Sequence, residues 1–254
     1  MRLPKRLPNF RDLGGIPALG NKRVRAARLL RSGELSNLAD EDKKILAEDY
    51  ALAAVIDLRG ESEISRRPDI LPDGVDYYNI DMMKAVERQS TSFENLEAFN
   101  NREGIHDFMK ACYRLMVEEE EARRGLRRFI DILLEQQEGA VLFHCFAGKD
   151  RTGLCAAAVL TLLGASKESI YADYLLTNEL RREENERILR SEKFSAMSEE
   201  QKETAKILFL VRKEYLDTAY QLAEARYGSL EEFLRRGVGI SEDETEQLKR
   251  MYLE

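Results

Sequence analysis

The chain has 254 residues, with 40 Lys and Arg against 47 Asp and Glu, for a net charge of −7. An acidic whole argues against a nucleic-acid binder, whose domain would be basic, and no apolar run nears the ~20 residues of a membrane span. With 43% hydrophobic and 34% charged residues the chain reads as a soluble globular protein rather than a disordered one.

The charge is unevenly spread. Residues 1–31 carry nine basic side chains and one acid, Asp12, a net +8 that leaves −15 for the rest. This segment is either an arm paired with acidic helices or a contributor to an anion site. No linker interrupts the pattern, so a single domain over 1–254 with a helical C-terminal elaboration is expected. The three cysteines, Cys112, Cys145 and Cys155, form no disulfide framework, which favours a reduced, cytoplasmic setting. Only two histidines and no Cys-x-x-Cys are present, so neither a metal nor another cofactor is expected.

In chain order, Ala27–Leu30 closed by Arg31-Ser32-Gly33 predicts a first strand and turn. Asp40 caps a helix through Ala47. Ala53–Leu58 is apolar on both faces, as a buried parallel strand requires. A Pro72-Asp73-Gly74 turn leads to a strand at Val75–Ile80, and Ser92–Leu115 is less regular. Ala122–Gln136 is an amphipathic helix, Ala140–Phe143 a second apolar strand, and Thr152–Leu163 a helix of small and aliphatic residues. Helix, strand, turn and helix in succession describe an α/β fold with a parallel sheet. Beyond Gly164 the chain reads as helix: one starting at Ser166, a charged region over 181–206, an amphipathic stretch over 205–227, and short helices capped by Ser229 and Ser241. The irregular 84–118 region or the charged 181–206 region could fold over a site as a lid.

The informative stretch is His144-Cys145-Phe146-Ala147-Gly148-Lys149-Asp150-Arg151-Thr152-Gly153. It joins an apolar strand to a helix, and the amide N–H groups of such a turn, with those of the helix start, make an anion site. Gly148 permits tight curvature, and Arg151 offers a planar pair of donors to phosphate oxygens. A thiol in that field ionises well below its ordinary ~8.5. Cys145 is then a nucleophile aimed at phosphorus, giving a cysteinyl-phosphate that water hydrolyses. Cys112 and Cys155 lack this context and read as core residues.

This stretch resembles the His-Cys-x5-Arg loop of the cysteine-dependent phosphatases. Its Gly-Lys-Asp-Arg-Thr-Gly form is similar to that of the bacterial tyrosine-phosphatase family that includes mycobacterial and Listeria lipid and protein phosphatases. Asn9–Gly15, Arg31–Gly33, Asp57–Arg59 with Glu63, Asp173–Asn178 and Tyr227–Leu230 resemble further blocks of that family. The resemblance implies a protein tyrosine phosphatase of the cysteine-dependent α/β fold, with Cys145 as nucleophile and Arg151 as phosphate clamp. It implies activity on a phosphorylated protein, extending to phosphoserine and phosphothreonine, or on a phosphoinositide. His144 would tune the thiolate, Thr152 would bond the sulfur, and Phe146, Ala147, Gly148 and Lys149 would complete the phosphate cradle. Some relatives are exported by non-classical routes.

Protonating the leaving oxygen requires a general acid. Three aspartates compete: Asp57 at the C-terminal end of a buried strand, ranked first because ligands bind at that edge, then Asp150 within the loop, then Asp81 after the Tyr77–Ile80 strand. Arg59 with Glu63 reads as an internal ion pair, and His106 as a surface residue. Two other classes compete with the enzyme: a module that binds phosphorylated ligands without turnover, and redox or sulfur-transfer chemistry at a low-pKa cysteine.

Overall fold

A computed structural model describes residues 1–82 and 102–254. Its centre is a five-stranded sheet in the order β1-β2-β5-β3-β4. The strands are β1 (Arg11–Asp12), β2 (Leu29–Ser32), β3 (Leu52–Asp57), β4 (Asp76–Asn79) and β5 (Ala140–His144). Only β1 runs antiparallel to its neighbour. The two apolar runs of the sequence became β3 and β5, which pair in parallel in the middle of the sheet. Alternate residues serve opposite faces, as strand geometry demands. Ala54, Ile56, Val141 and Phe143 enter the main core on one side. Val55, Ala140 and Leu142 join Leu7, Ile45, Leu46 and Tyr50 on the other.

The smaller face is covered by α1 (Asp40–Glu48) and the N-terminal arm. The larger face carries α3 (Arg102–Glu118), α4 (Glu120–Glu135), α5 (Asp150–Leu162), α6 (Lys167–Leu180) and α10 (Lys213–Tyr227), while α2 (Glu61–Arg66) follows β3. Between α6 and α10 lie α7 (Arg182–Leu189), α8 (Glu192–Ser195) and α9 (Glu199–Phe209). A short α11 (Leu230–Glu232), a π-helical turn at Phe233–Val238 and α12 (Glu242–Tyr252) close the chain. The described residues include no helix long and apolar enough to cross a membrane.

Several expectations need adjustment. Asp40 is the first residue of α1, not its cap; the capping position is Ala39, and the acids of the first turn favour the positive helix end instead. The Ser92–Leu115 stretch is regular from 102 onward: α3 buries Ile105, Met109, Cys112, Tyr113 and Met116. The part of that stretch before 102, like most of the first lid candidate, lies outside the described residues. The amphipathic stretch over 205–227 is two helices, because Leu210–Arg212 is extended and Asn178 pairs with both backbone groups of Val211, at 2.8 and 2.9 Å. Ser166, Ser229 and Ser241 do cap their helices.

The basic arm divides in two. Arg2 pairs with Glu41, Glu48 and Asp49 of α1 and its C-terminal end. Arg11 and Arg31 instead turn inward to Asp173, and Arg31 also reaches Gly148 O in the loop after β5.

Candidate active site

The loop Cys145–Lys149 leaves β5 at the C-terminal edge of the sheet and enters α5 at Asp150. Its carbonyls point into the protein. Phe146 O accepts from the Glu34 amide at 3.1 Å. Ala147 O accepts from Asn9 Nδ2 (3.1 Å) and Arg181 (3.0 Å), and Gly148 O from Asn9 Nδ2 (2.7 Å) and Arg31 (3.0 Å). In a trans peptide the next N–H points opposite to the carbonyl. The amides of Ala147, Gly148 and Lys149 are therefore turned the other way, away from these partners. Gly148 has φ 66°, and a Cβ there would lie 2.1 Å from Ser32 O, so no side chain fits.

Two charged residues hold the donors that grip this loop. Asp173 of α6 takes Arg31 on one oxygen at 2.5 Å and Arg11 on the other at 2.7 Å. Arg11 also donates to Asn9 O and Oδ1 and to Thr177 Oγ1. All of these residues are buried. The network runs from the loop's carbonyls through Arg31 and Asn9 to Asp173, so the loop's curvature depends on a carboxylate in α6, one helix further along the chain.

Cys145 lies on the cavity floor, 3% exposed. Burial pushes its thiol up, but the Arg151 guanidinium and the Thr152 hydroxyl and N–H outweigh it, leaving the thiol below its ordinary value. Thr152 Oγ1 is fully buried with no nitrogen or oxygen partner among the described residues, so its proton is free for the sulfur. Cys112 and Cys155 show the contrast. Burial, with little to offset it, pushes Cys112 up to about 12, and Cys155 is raised further.

Arg151 is held by Glu63 of α2, at 2.5 and 2.9 Å to its two terminal nitrogens, and also donates to Leu58 O at 3.3 Å. Burial disfavours the guanidinium charge, but Cys145 and Glu63 more than restore it. The expected Arg59–Glu63 pair is thus replaced: Glu63 serves Arg151, and Arg59 pairs with Asp57, Asp69 and Glu34.

That pairing relocates the first acid candidate. Asp57 ends β3 at the correct edge, but it is fully buried and accepts from the Arg59 amide, from Nε and Nη2 of the Arg59 guanidinium, and from the Tyr77 hydroxyl at 2.8 Å. Burial pushes its carboxyl up, yet Arg59 and His144 hold it below the usual range. Asp57, Asp69 and His144 bring possible ligand atoms within 4.8 Å of one another. The Arg59 guanidinium already sits 2.8 Å from each of the two carboxylates, so positive charge there comes from the chain itself. His144, wholly buried, faces Asp69 at 3.0 Å through Nε2 and the Cys145 carbonyl at 3.2 Å through Nδ1. Burial lowers its affinity for a proton, and the Asp69 carboxylate raises it by more.

Over this floor opens a cavity of about 1290 Å³. Cys145, Phe146, Ala147, Lys149, Asp150 and Arg151 line it, whereas His144, Gly148 and Thr152 stand behind its wall and Asp57 and Asp81 do not reach it. Lys149 is buried and donates to Leu208 O and Leu210 O at 2.6 and 3.2 Å. Phe146 is exposed beneath the Arg67 guanidinium, 5.6 Å from its ring centre. Met109 and Met116 of α3 and Leu180, Ile188, Phe194 and Phe209 from α6–α9 supply apolar walls. Residues to which sequence reasoning gave no role at the site include Asn9, Asp173, Glu63, Arg181 and Tyr113. The first three lay in segments already marked by family resemblance; the other two carried no local signal. His106 is not a free surface residue, since its Nδ1 meets Tyr215 Oη at 2.6 Å.

A lowered thiol on a strand-to-helix loop, with an arginine fork beside it and the loop's carbonyls bound within the protein, defines a cysteine-dependent phosphatase. The tyrosine phosphatase family profile matches residues 4–254, and the chain belongs to that family. It is 31% identical to the triple specificity protein phosphatase PtpB of Mycobacterium tuberculosis, over 96% of each chain. It is 29% identical to a putative tyrosine-protein phosphatase of Cupriavidus necator, over 97% of this chain and 86% of that one. A tyrosine-protein phosphatase of Nostoc commune is 30% identical over 63% of this chain and 52% of its own. The protein is accordingly a phosphatase.

Proposed function

We propose that the enzyme hydrolyses phosphotyrosine in proteins, with phosphoserine and phosphothreonine as further substrates, through a cysteinyl-phosphate on Cys145. The carrying observation is the lowered Cys145 thiol beside Arg151 at the foot of the loop. The substrate phosphate rests on the amides of the loop and on Arg151. The Cys145 thiolate attacks phosphorus as the bond to the tyrosyl oxygen breaks. Asp150, on the cavity wall, protonates that oxygen, and Asp57 instead serves as a structural anion for Arg59. The Asp150 carboxylate then takes a proton from water, whose oxygen attacks phosphorus and releases Cys145, with the Thr152 hydroxyl supporting the departing sulfur. The exposed Phe146 ring offers a face for an aromatic substrate.

A phosphoinositide is the second reading, favoured by the size and apolar walls of the cavity, which exceed what one phosphotyrosine side chain fills. Residues 1–254 act as one phosphatase unit in this reading, and α7–α9 serve as the lid. A panel of phosphotyrosine, phosphoserine and phosphothreonine peptides and phosphoinositides, assayed with chelator present, tests it. Vanadate-sensitive turnover fastest on phosphotyrosine supports the first reading; phosphoinositide turnover exceeding every peptide supports the second; no turnover of any leaves a binding module.

A further inference from the structure

Asp150 has company that the reaction scheme leaves unused. The Tyr113 hydroxyl of α3 lies 3.0 Å from Asp150 Oδ1 and 2.7 Å from the Tyr174 hydroxyl of α6. Both tyrosines are buried to about 1% exposure or less, and their rings meet edge to face at 6.4 Å between centres. The direction of these bonds follows from chemistry. The Tyr113 hydroxyl donates to Asp150 Oδ1, which accepts whether or not Oδ2 carries a proton, so the Tyr174 proton points at Tyr113. Burial, and the Asp150 charge after it, hold both phenols far above their ordinary range, so each keeps its proton throughout the cycle. The other carboxyl oxygen, Oδ2, faces the Lys149 ammonium at 3.6 Å.

We propose that Tyr113, backed by Tyr174, is a positioning residue that fixes the Asp150 carboxyl, so that Oδ1 stays on the phenol and Oδ2 carries the proton to the leaving oxygen. This rests on the reading of Asp150 as the acid. Two of the three elements involved, α3 and α6, are core helices, and the phenol–phenol contact ties one to the other. The acid is thereby oriented from the body of the protein, although it sits in the first turn of α5, where its own rotamers would otherwise place it freely. In the first step Oδ2–H passes its proton to the leaving oxygen as the P–O bond breaks, and in the second Oδ2 recovers one from water. Tyr113 neither gives nor takes a proton in either step.

The test uses two phosphate esters on the full-length chain. p-Nitrophenolate departs without protonation, whereas phenolate needs it. Asp150→Asn sets the scale: kcat/KM on phenyl phosphate should fall by about 10²-fold or more, well beyond the fall on p-nitrophenyl phosphate. Tyr113→Phe, which keeps the ring, should lower phenyl phosphate turnover about tenfold more than p-nitrophenyl phosphate turnover. Tyr174→Phe should shift the ratio in the same direction by about threefold. If Asp150→Asn changes the ratio and neither tyrosine variant does, the inference is wrong and the acid assignment stands. If Asp150→Asn leaves the ratio at the wild-type value, the acid assignment fails and the inference with it. Equal loss on both esters in Tyr113→Phe marks a purely structural role and also overturns the proposal. Should that variant fail to fold, the Tyr174→Phe ratio decides alone.

Discussion

The floor and the roof of the cavity are built by opposite means. The floor is the loop after β5, and what shapes it is buried charge: Arg31 and Arg181, with Asn9, hold its carbonyls from behind, Asp173 and Arg11 hold Arg31 and Asn9 in turn, and Glu63 holds Arg151. The roof is α7–α9, and its ion pairs are mostly local. Arg187–Glu184, Arg190–Glu186, Lys202–Glu199 and Lys206–Glu203 each span one turn of their own helix and lie largely in solvent. They support helices without fastening them to the body. Fastening comes from Ile207, which enters the main core, and from a few polar contacts, chiefly Lys149 to Leu208 O and Leu210 O and Asn178 to Val211. Groups that must meet phosphorus within tenths of an ångström are fixed by expensive buried pairs, and the surface that meets the remainder of a substrate is left to cheap ones.

Five experiments test that contrast. The greatest effect belongs to the sulfur. Cys145→Ser should lower p-nitrophenyl phosphate hydrolysis by ~10⁴-fold or more in steady-state assays, because a hydroxyl in this field remains protonated. Next comes the clamp behind the loop. Asp173→Ala strands two buried guanidinium groups and should cost about 3–5 kcal/mol in urea denaturation. A loss under 1 kcal/mol would mean the floor is no better anchored than the roof. Arg151→Lys keeps the charge but loses the fork, and kcat should drop by roughly 10²–10³-fold.

Smaller, and dependent on pH, is the His144–Asp69 pair. Asp69 raises the folded imidazole above its unfolded value, so the stability this pair contributes is complete below the ordinary imidazole range near ~6.5 and fades as pH rises through the raised value. The gap in stability between wild type and Asp69→Asn should therefore narrow on going alkaline; a gap that widened would contradict the assignment. The least effect is expected on the roof: Arg190→Ala should alter stability by no more than about 0.5 kcal/mol.

What was legible in the sequence follows the same division. Strands β3 and β5 and the loop at Cys145 announce themselves, since continuous apolar runs and a strand-to-helix turn are local patterns. Asp57 ranked first because its position at a strand end was readable while its partner was not. Arg59 lies two residues on, and nothing in a local pattern says whether a carboxylate faces an arginine or a cavity. Glu63 was seen but assigned to Arg59, since Arg151 is 88 residues away in the chain. The 205–227 stretch read as one helix because its break depends on Asn178, in another element. Tyr113 had no chance of recognition: a tyrosine on an apolar helical face looks like core until Asp150 is placed against its hydroxyl.

The Glu63–Arg151 contact has a consequence for how tightly a phosphate can be gripped. A free arginine side chain carries about 2 kcal/mol of rotamer entropy. In this protein both terminal nitrogens already rest on one carboxylate before any ligand arrives, so that disorder is surrendered when the chain folds and not again at each encounter. The guanidinium waits in a single pose, and the affinity gained from it on binding is correspondingly undiminished.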